Sequence, residues 1–262
     1  MDLNLKGKNA FVSGSTQGIG KAIAEELATL GANVTLCARN VESLNEVKST
    51  LANSDGQSHQ TLVADFSKPD QLKAAVDEHL GQGNQYHILI NNTGGPPGGQ
   101  AIEAGIDEFR IAFNQHLICN QILAQDIVPG MKEAGFGRII NVISTSVKAP
   151  LNGLGVSNTV RGAVANWSKT LANELGQFGI TVNNVLPGAT ATQRLSSIIE
   201  NKANKTGKSV DEVGSAMKAA VPAKRFAEAH EVAAAAAFLA SPAAGYINGI
   251  NLPVDGGRTV SL

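Results

Sequence analysis

The stretch "SGSTQGIG" (Ser13–Gly20) sets Gly14, Gly18 and Gly20 in a G-x-x-x-G-x-G spacing. Glycines at this spacing permit a tight turn and let main-chain N–H groups approach an anion closely. Where such a turn opens a helix, the free N–H donors and the positive helix end suit a pyrophosphate. Ser15 and Thr16 add hydroxyls, and Arg39, at the end of "VTLCAR", adds a cation. In dinucleotide folds an acidic residue at the end of the second strand suits a ribose 2′-hydroxyl, whereas a cation suits a 2′-phosphate. The residues therefore predict a site for NADP(H) rather than NAD(H). A second pattern lies in "GVSNTVRGAV" (Gly155–Val164), where Ser157 and Arg161 stand four residues apart, one helical turn. This keeps a hydroxyl and a permanent cation together on one helix face.

Short apolar runs alternate with longer helical patterns along the chain. "NAFVSG", "NVTLCAR", "HQTLVADF", "YHILINNTGG", "GRIINVIS", "ITVNNVL" and "GINLPVDGG" read as strands. "GKAIAEELATLG", "VESLNEVKSTLAN", "KPDQLKAAVDEHL" and "HEVAAAAAFLA" read as helices, as does the segment from Gly155 to Phe178. A long helix is expected from Ile106 to Ala134, broken or ended near Pro129-Gly130. Residues 193–220 are polar and rich in Ala and Lys, and read as a mobile helical segment. Strands alternating with helices of ten or more residues imply βαβ units. The fold class is α/β: a Rossmann-type, doubly wound parallel sheet with helices on both faces. No repeat or linker interrupts the pattern, so residues 1–262 are expected to form one domain.

Composition narrows the function. Hydrophobic residues make up 43% of the 262 residues and charged ones 16%, enough apolar material for a large core. The net charge of -1 gives no basic surface for nucleic acid, and no polybasic segment addresses a membrane. No apolar run approaches the length of a membrane span, and the N-terminus shows no signal-peptide pattern. Cys37 and Cys119 lack metal-type spacing and read as buried thiols of a reducing compartment, so no metal is expected and the cytoplasm is the expected location.

Taken in order, the motifs resemble those of the short-chain dehydrogenase/reductases, particularly the branch similar to 3-oxoacyl-carrier-protein reductases. "SGSTQGIG" resembles the family's glycine motif, and Asp65 in "VADF" stands where the family contacts adenine. "NNTG" (Asn91–Gly94) stands for NNAG, "PGATAT" (Pro187–Thr192) for PG-x-x-x-T, and "INGINLPVDGG" resembles the common ending. The resemblance covers nearly the whole chain and implies a sheet of about seven strands, a homodimer or homotetramer, and a substrate lid at 193–220. It implies cofactor contacts from Gly14, Ser15, Thr16, Gly18, Ile19, Gly20, Arg39, Asp65, Asn91, Gly94, Arg161, Pro187, Gly188, Thr190 and Thr192.

In the family, a tyrosine gives its proton to a carbonyl oxygen, a lysine lowers that tyrosine's pKa, a serine orients the carbonyl, and an asparagine holds a water. By resemblance Ser144 takes the serine place, while Ser157 and Arg161 take those of the tyrosine and lysine. Tyr86 and Tyr246, the only tyrosines, do not align with the site. Counting back from "VPGM" puts His116 rather than Asn114 in the asparagine place. An aliphatic hydroxyl is a far weaker acid than a phenol, so another donor is expected. His116, with an imidazole titrating near pH 6.5, is the first choice, and Lys148 in "STSVKAP" the second. Ser144 and Ser157 would position the carbonyl, and Arg161 would hold ribose or stabilise the alkoxide. The expected activity is NADP(H)-dependent oxidation or reduction of a small-molecule carbonyl/alcohol pair. The alternative is a regulatory or subunit protein that binds NADP(H) without catalysis.

Overall fold

The structure is a computed structural model and describes residues 1–261; Leu262, the last residue of the expected domain, lies outside them. Among the described residues the strands are β1 (Asn9–Ser13), β2 (Asn33–Ala38), β3 (Gln60–Val63), β4 (Ile88–Asn91), β5 (Gly137–Val142), β6 (Ile180–Pro187) and β7 (Asn251–Val254). They form one seven-stranded sheet in the order β3-β2-β1-β4-β5-β6-β7. Every neighbouring pair is parallel. The chain winds outward from β1 to β3, then returns to place β4 on the other side of β1. This reversal leaves a crevice at the carboxyl ends of β1 and β4, where ligands bind in open α/β sheets.

Helices cover both faces. On one face α1 (Gly18–Thr29), α2 (Val41–Thr50) and α9 (Ala229–Ala240) bury Ile23, Leu27, Leu44, Val232 and Ala236 in one cluster, α1 and α2 over β1 and β2 and α9 over β5 and β6. On the other, α3 (Pro69–Gly81), α5 (Cys119–Ala134) and α6 (Gly155–Leu175) bury Leu72, Leu123, Ile127 and Leu175. Each large aliphatic side chain withdrawn from water in this way contributes about 1.5–3 kcal/mol.

Two sequence expectations change, and a third is borne out in its helical character and given finer detail. The helix expected to break near Pro129 runs through it to Ala134 and ends at Gly135, which adopts a left-handed conformation. Its inner face is anchored by Leu123, Ile127 and Met131, whose burial offsets the hydrogen bond that proline cannot make. The interruption lies earlier: α4 (Ile106–Phe113) passes into α5 through a π-helical turn at Asn114–Ile118, which contains His116. The segment 193–220 is two helices, α7 (Gln193–Thr206) and α8 (Val210–Ala219), joined through Gly207. They share a small apolar cluster of Leu195, Ile199, Ala203 and Val213, which the segment's polar average concealed.

A row of side-chain amides crosses half the sheet. Asn91, Asn141, Asn184 and Asn251 are register partners on β4, β5, β6 and β7. Asn91 donates to Asn141 at 2.8 Å, Asn141 to Asn184 at 3.1 Å, and Asn184 to Asn251 at 2.8 Å. Ser168 of α6 accepts from Asn141 and donates to Asn184. All the Asn-to-Asn bonds point toward β7, and the Asn91 carbonyl oxygen at the other end is buried with no partner.

Candidate active site

The glycine turn leaves β1 at Ser13 and enters α1 at Gly18. Gly14 has φ +60, and a Cβ there would lie 2.4 Å from the Asn92 carbonyl oxygen. A Cβ on Gly20 would lie 2.1 Å from the Gly14 oxygen. Both contacts exclude any other residue type without movement of the backbone. Asn92 braces this turn, donating from Nδ2 to the carbonyls of Ser13 (3.3 Å) and Gly14 (3.1 Å). Its own N–H donates to Ser13 Oγ, which in turn donates to the Ile90 carbonyl. Gln17 precedes α1 without capping it, which leaves first-turn N–H groups for an anion. Ser15 is buried beneath the turn, whereas Thr16 and Ile19 are partly exposed along it. The cradle fits a pyrophosphate.

Arg39 and Asp65 meet at the carboxyl ends of β2 and β3. Asp65 accepts from the Ser67 N–H at 2.9 Å. That bond, aided by Arg39 and Lys68, holds its carboxyl below the usual range against a smaller opposing effect of burial. Arg39 is exposed, so its guanidinium is open to an anion. Across the crevice, "PGATAT" follows β6. A Cβ on Gly18 would lie 3.2 Å from Thr192 Cγ2, so this segment faces the glycine turn. Thr192 caps α7 by accepting from the Leu195 N–H, and Thr190 donates to the Gly188 carbonyl. Pro187 ends β6, and Gly188 packs against Asp255 with no room for a side chain. Asn91 is buried at the end of β4, and Gly94 is exposed just beyond it.

The residues expected to do chemistry gather at the same strand ends. Ser144, just past β5, accepts from the Ser146 N–H at 3.1 Å. Ser157 and Arg161 are both buried on α6, and Arg161 Nη1 donates to the Val142 carbonyl at 2.8 Å. Burial, reinforced by Arg194, brings the Arg161 guanidinium down to about 10, so it remains a cation at neutral pH. His116 is 2% exposed, whereas Asn114 in the same turn is exposed, so the histidine is the residue turned inward. His116 Nδ1 lies 2.6 Å from Thr93 Oγ1, and Nε2 is buried without a partner.

Burial lowers the His116 pKa to about 2, with Arg161 and Arg194 pushing the same way and the Gly94 backbone opposing. This corrects the expectation of a titration near pH 6.5: the ring is neutral throughout the physiological range. Lys148 is exposed beyond the short turn Thr145–Val147. Tyr86 lies at the opposite, amino-terminal edge of the sheet and donates to Thr35 Oγ1. Tyr246 is fully exposed. Neither phenol reaches Ser144.

Three site residues escaped the sequence reading. Asn92 and Thr93 lie inside "NNTG", where only the first and last residues drew a role. Arg194 lies two residues beyond "PGATAT", and nothing in its neighbours marks it.

The parallel sheet, its switch point and the glycine cradle there define a Rossmann-type α/β protein. A family model described as "Enoyl-(Acyl carrier protein) reductase" matches residues 14–259, and the chain belongs to the short-chain dehydrogenase/reductase family. It is 30% identical over 256 residues to the NADPH-dependent reductase BacG of Bacillus subtilis, covering 97% of this chain and 99% of that one. It is 31% identical over 264 residues to the 3-oxoacyl-[acyl-carrier-protein] reductase FabG of Pseudomonas aeruginosa, covering 99% and 100%. The structure of L-sorbose reductase from Gluconobacter frateurii, complexed with NADPH and L-sorbose, superposes with a TM-score of 0.93 at 32% identity, covering 100% of both chains. Among the described residues no helix is long and apolar enough to cross a membrane.

Proposed function

We propose that the protein is an NADP(H)-dependent oxidoreductase that interconverts a small-molecule carbonyl and its alcohol with a non-standard proton donor. The observation that carries this reading is His116, buried beside Arg161 with an unpartnered Nε2, at the crevice that holds the glycine cradle. The NADPH-dependent relatives support the choice of cofactor.

The first turn of α1 and the glycine turn hold the pyrophosphate, and Arg39 meets the 2′-phosphate, with Ser15 and Thr16 adding hydroxyls beside it. Asp65 faces the adenine. Asn91, Gly94, Pro187, Gly188, Thr190 and Thr192 line the nicotinamide half. When bound, NADPH would supply the hydride for the carbonyl carbon. Ser144 and Ser157 orient the carbonyl oxygen. Arg161 bears on the ribose hydroxyls and on the negative charge that develops at that oxygen.

The neutral His116 delivers the proton without passing through a charged ring. Nε2–H protonates the oxygen while Nδ1 takes the Thr93 hydroxyl proton, and half-buried Thr93 regains one from water. The ring only exchanges tautomers, which suits a group whose charged form burial disfavours. Helices α7 and α8 form the substrate lid of a single domain. Ile106, Ile111 and Ile118 are exposed apolar side chains that a homodimer or homotetramer would cover. The buried free thiols Cys37 and Cys119 fit a reducing cytoplasm.

The test combines NADPH and NADH titrations by fluorescence with a panel of carbonyl and quinone substrates followed at the nicotinamide absorbance. The expected result is tighter NADPH binding and turnover of at least one carbonyl that His116→Ala abolishes. NADPH binding without turnover across the panel supports instead a catalytically inactive regulatory or subunit protein, which the replacement of both tyrosine and lysine favours. Unchanged turnover in His116→Ala overturns the proton-donor assignment.

A further inference from the structure

Arg194 makes no hydrogen bond to the glycine turn, and its placement is specific. It projects from the first turn of α7 to the loop after β4, where Nη1 donates to the Gly95 carbonyl at 2.9 Å and Nη2 to the Pro96 carbonyl at 3.2 Å. A Cβ on Gly95 would lie 2.5 Å from Nη2, so glycine makes room for the guanidinium. This gives the run "GGPPGG" a physical task. The same loop is bound to the start of α6, with the Gly99 N–H donating to the Gly153 carbonyl and the Gly155 N–H to the Gly99 carbonyl. It thus connects Arg194 to the helix that carries Ser157 and Arg161.

The charge at this place is one-sided. Arg194 sits on the Gly95 and Pro96 carbonyls and His116 on Thr93 Oγ1, two residues earlier in the same loop, and the charge of Arg194 bears on both His116 and Arg161. Among the described residues neither arginine makes an ion pair; the pairs formed lie elsewhere, at Lys6, Lys21, Lys73, Arg110 and Arg225. Bringing two cations together with no acid side chain is costly unless an anion joins them. Arg194 is exposed and has committed two of its five N–H donors to main-chain carbonyls, which leaves three for a ligand. The unpartnered Nε2 of His116, in a residue 2% exposed, is the independent sign that a polar ligand group belongs here.

We infer that the substrate is an anionic carbonyl compound, an oxo acid, whose carboxylate is held by the Arg194 guanidinium while its carbonyl faces His116 and Ser157. This rests on the carbonyl-reducing reading above. The planar guanidinium matches a carboxylate, and Arg161 adds charge from below. Arg194 is a specificity-determining residue, fixed in place by the Gly95 and Pro96 carbonyls.

The experiment uses the full chain with 2-, 3- and 4-oxo acids, each beside its methyl ester. Turnover with NADPH is measured, and binding of the same compounds to the NADP⁺ complex is measured by calorimetry. The wild type is expected to prefer at least one acid over its ester by about tenfold or more in kcat/KM and in affinity. In Arg194→Met that ratio falls to near one through a raised KM for the acid, and Arg194→Lys keeps part of it. Gly95→Ala, which retains the cation but displaces it, moves the ratio the same way. Equal handling of acid and ester by the wild type overturns the inference, as does an Arg194→Met protein whose NADPH affinity falls, since the guanidinium would then serve the cofactor. Calorimetry separates this inference from the catalytic reading. Acid-selective binding without turnover keeps the anion site and removes the enzyme, whereas turnover of esters and acids alike does the reverse.

Discussion

The two walls of the crevice are built from different material. Below β1 and β4 the surface is main chain: Gly14, Gly18, Gly20 and the uncapped start of α1, braced by Asn92. Beyond β5 and β6 it is side chains: Ser144, Ser157, Arg161, His116 and Arg194. A main-chain cradle tolerates few sequences, because a single Cβ fills it. A side-chain wall can exchange one acid or cation for another and keep its shape. The reading we propose follows that contrast, with the cofactor motifs kept while Ser157 and Arg161 fill the family's tyrosine and lysine places.

Four measurements would break or sharpen that contrast. The largest effect is expected at the cradle. Gly20→Ala should weaken NADPH binding by about 100-fold or more, because its Cβ meets the Gly14 carbonyl at 2.1 Å. Fluorescence titration reads this, with a thermal melt to establish that the variant folds. On the other wall, His116→Phe should lower kcat by about 100-fold while NADPH affinity stays within about threefold. Equal losses in both quantities would merge the two walls into one. Arg39→Ala should reduce the preference for NADPH over NADH by about tenfold, read from the two dissociation constants.

The smallest effect concerns acid stability. In the folded protein the His116 pKa is about 2, whereas an unfolded imidazole titrates near 6.5. The unfolded chain therefore takes up this proton first as pH falls. The contribution is complete above about pH 6.5 and is lost as pH drops toward the folded value. His116→Gln should flatten the stability–pH curve below pH 6.5 by up to about 1.4 kcal/mol per pH unit. Parallel urea-denaturation curves for the two proteins between pH 4.5 and 6.5 would show that the ring is not held neutral.

What was legible in the chain follows from the same contrast. The sheet was readable because strands such as Asn9–Ser13 and Ile88–Asn91 are short runs dominated by apolar and small residues, the mark of a strand covered on both faces. The glycine cradle was readable because its residue type is the signal. The π-helical turn at Asn114–Ile118 was not, since it is set by packing between α4, α5 and α6 rather than by local preference. Pro129 misled because its local cost is offset by the burial of Leu123, Ile127 and Met131 within two turns of it, a tertiary effect the local sequence does not carry. The pKa of His116 was invisible for a related reason: its burial, and the charges of Arg161 and Arg194 that add to it, come from separate elements packed together.

The amide row across β4, β5, β6 and β7 has a consequence for how the molecule assembles. Parallel strands pair over long sequence separations, and such contacts form slowly. Asn91 and Asn141 are 50 residues apart, and Asn184 and Asn251 are 67 apart. A one-residue slip during pairing turns a strand's side chains to the opposite face. A slip of β6 that brought Val185 into the row would leave Asn141 and Asn251 unanswered, and one that brought Asn183 in would strip Asn183 of its bonds to the Ile247 carbonyl and the Ile250 N–H. Each misaligned intermediate thus carries an unsatisfied amide that the aligned one does not, and it is released rather than retained. The row works as an alignment mark, read once per strand as the chain folds.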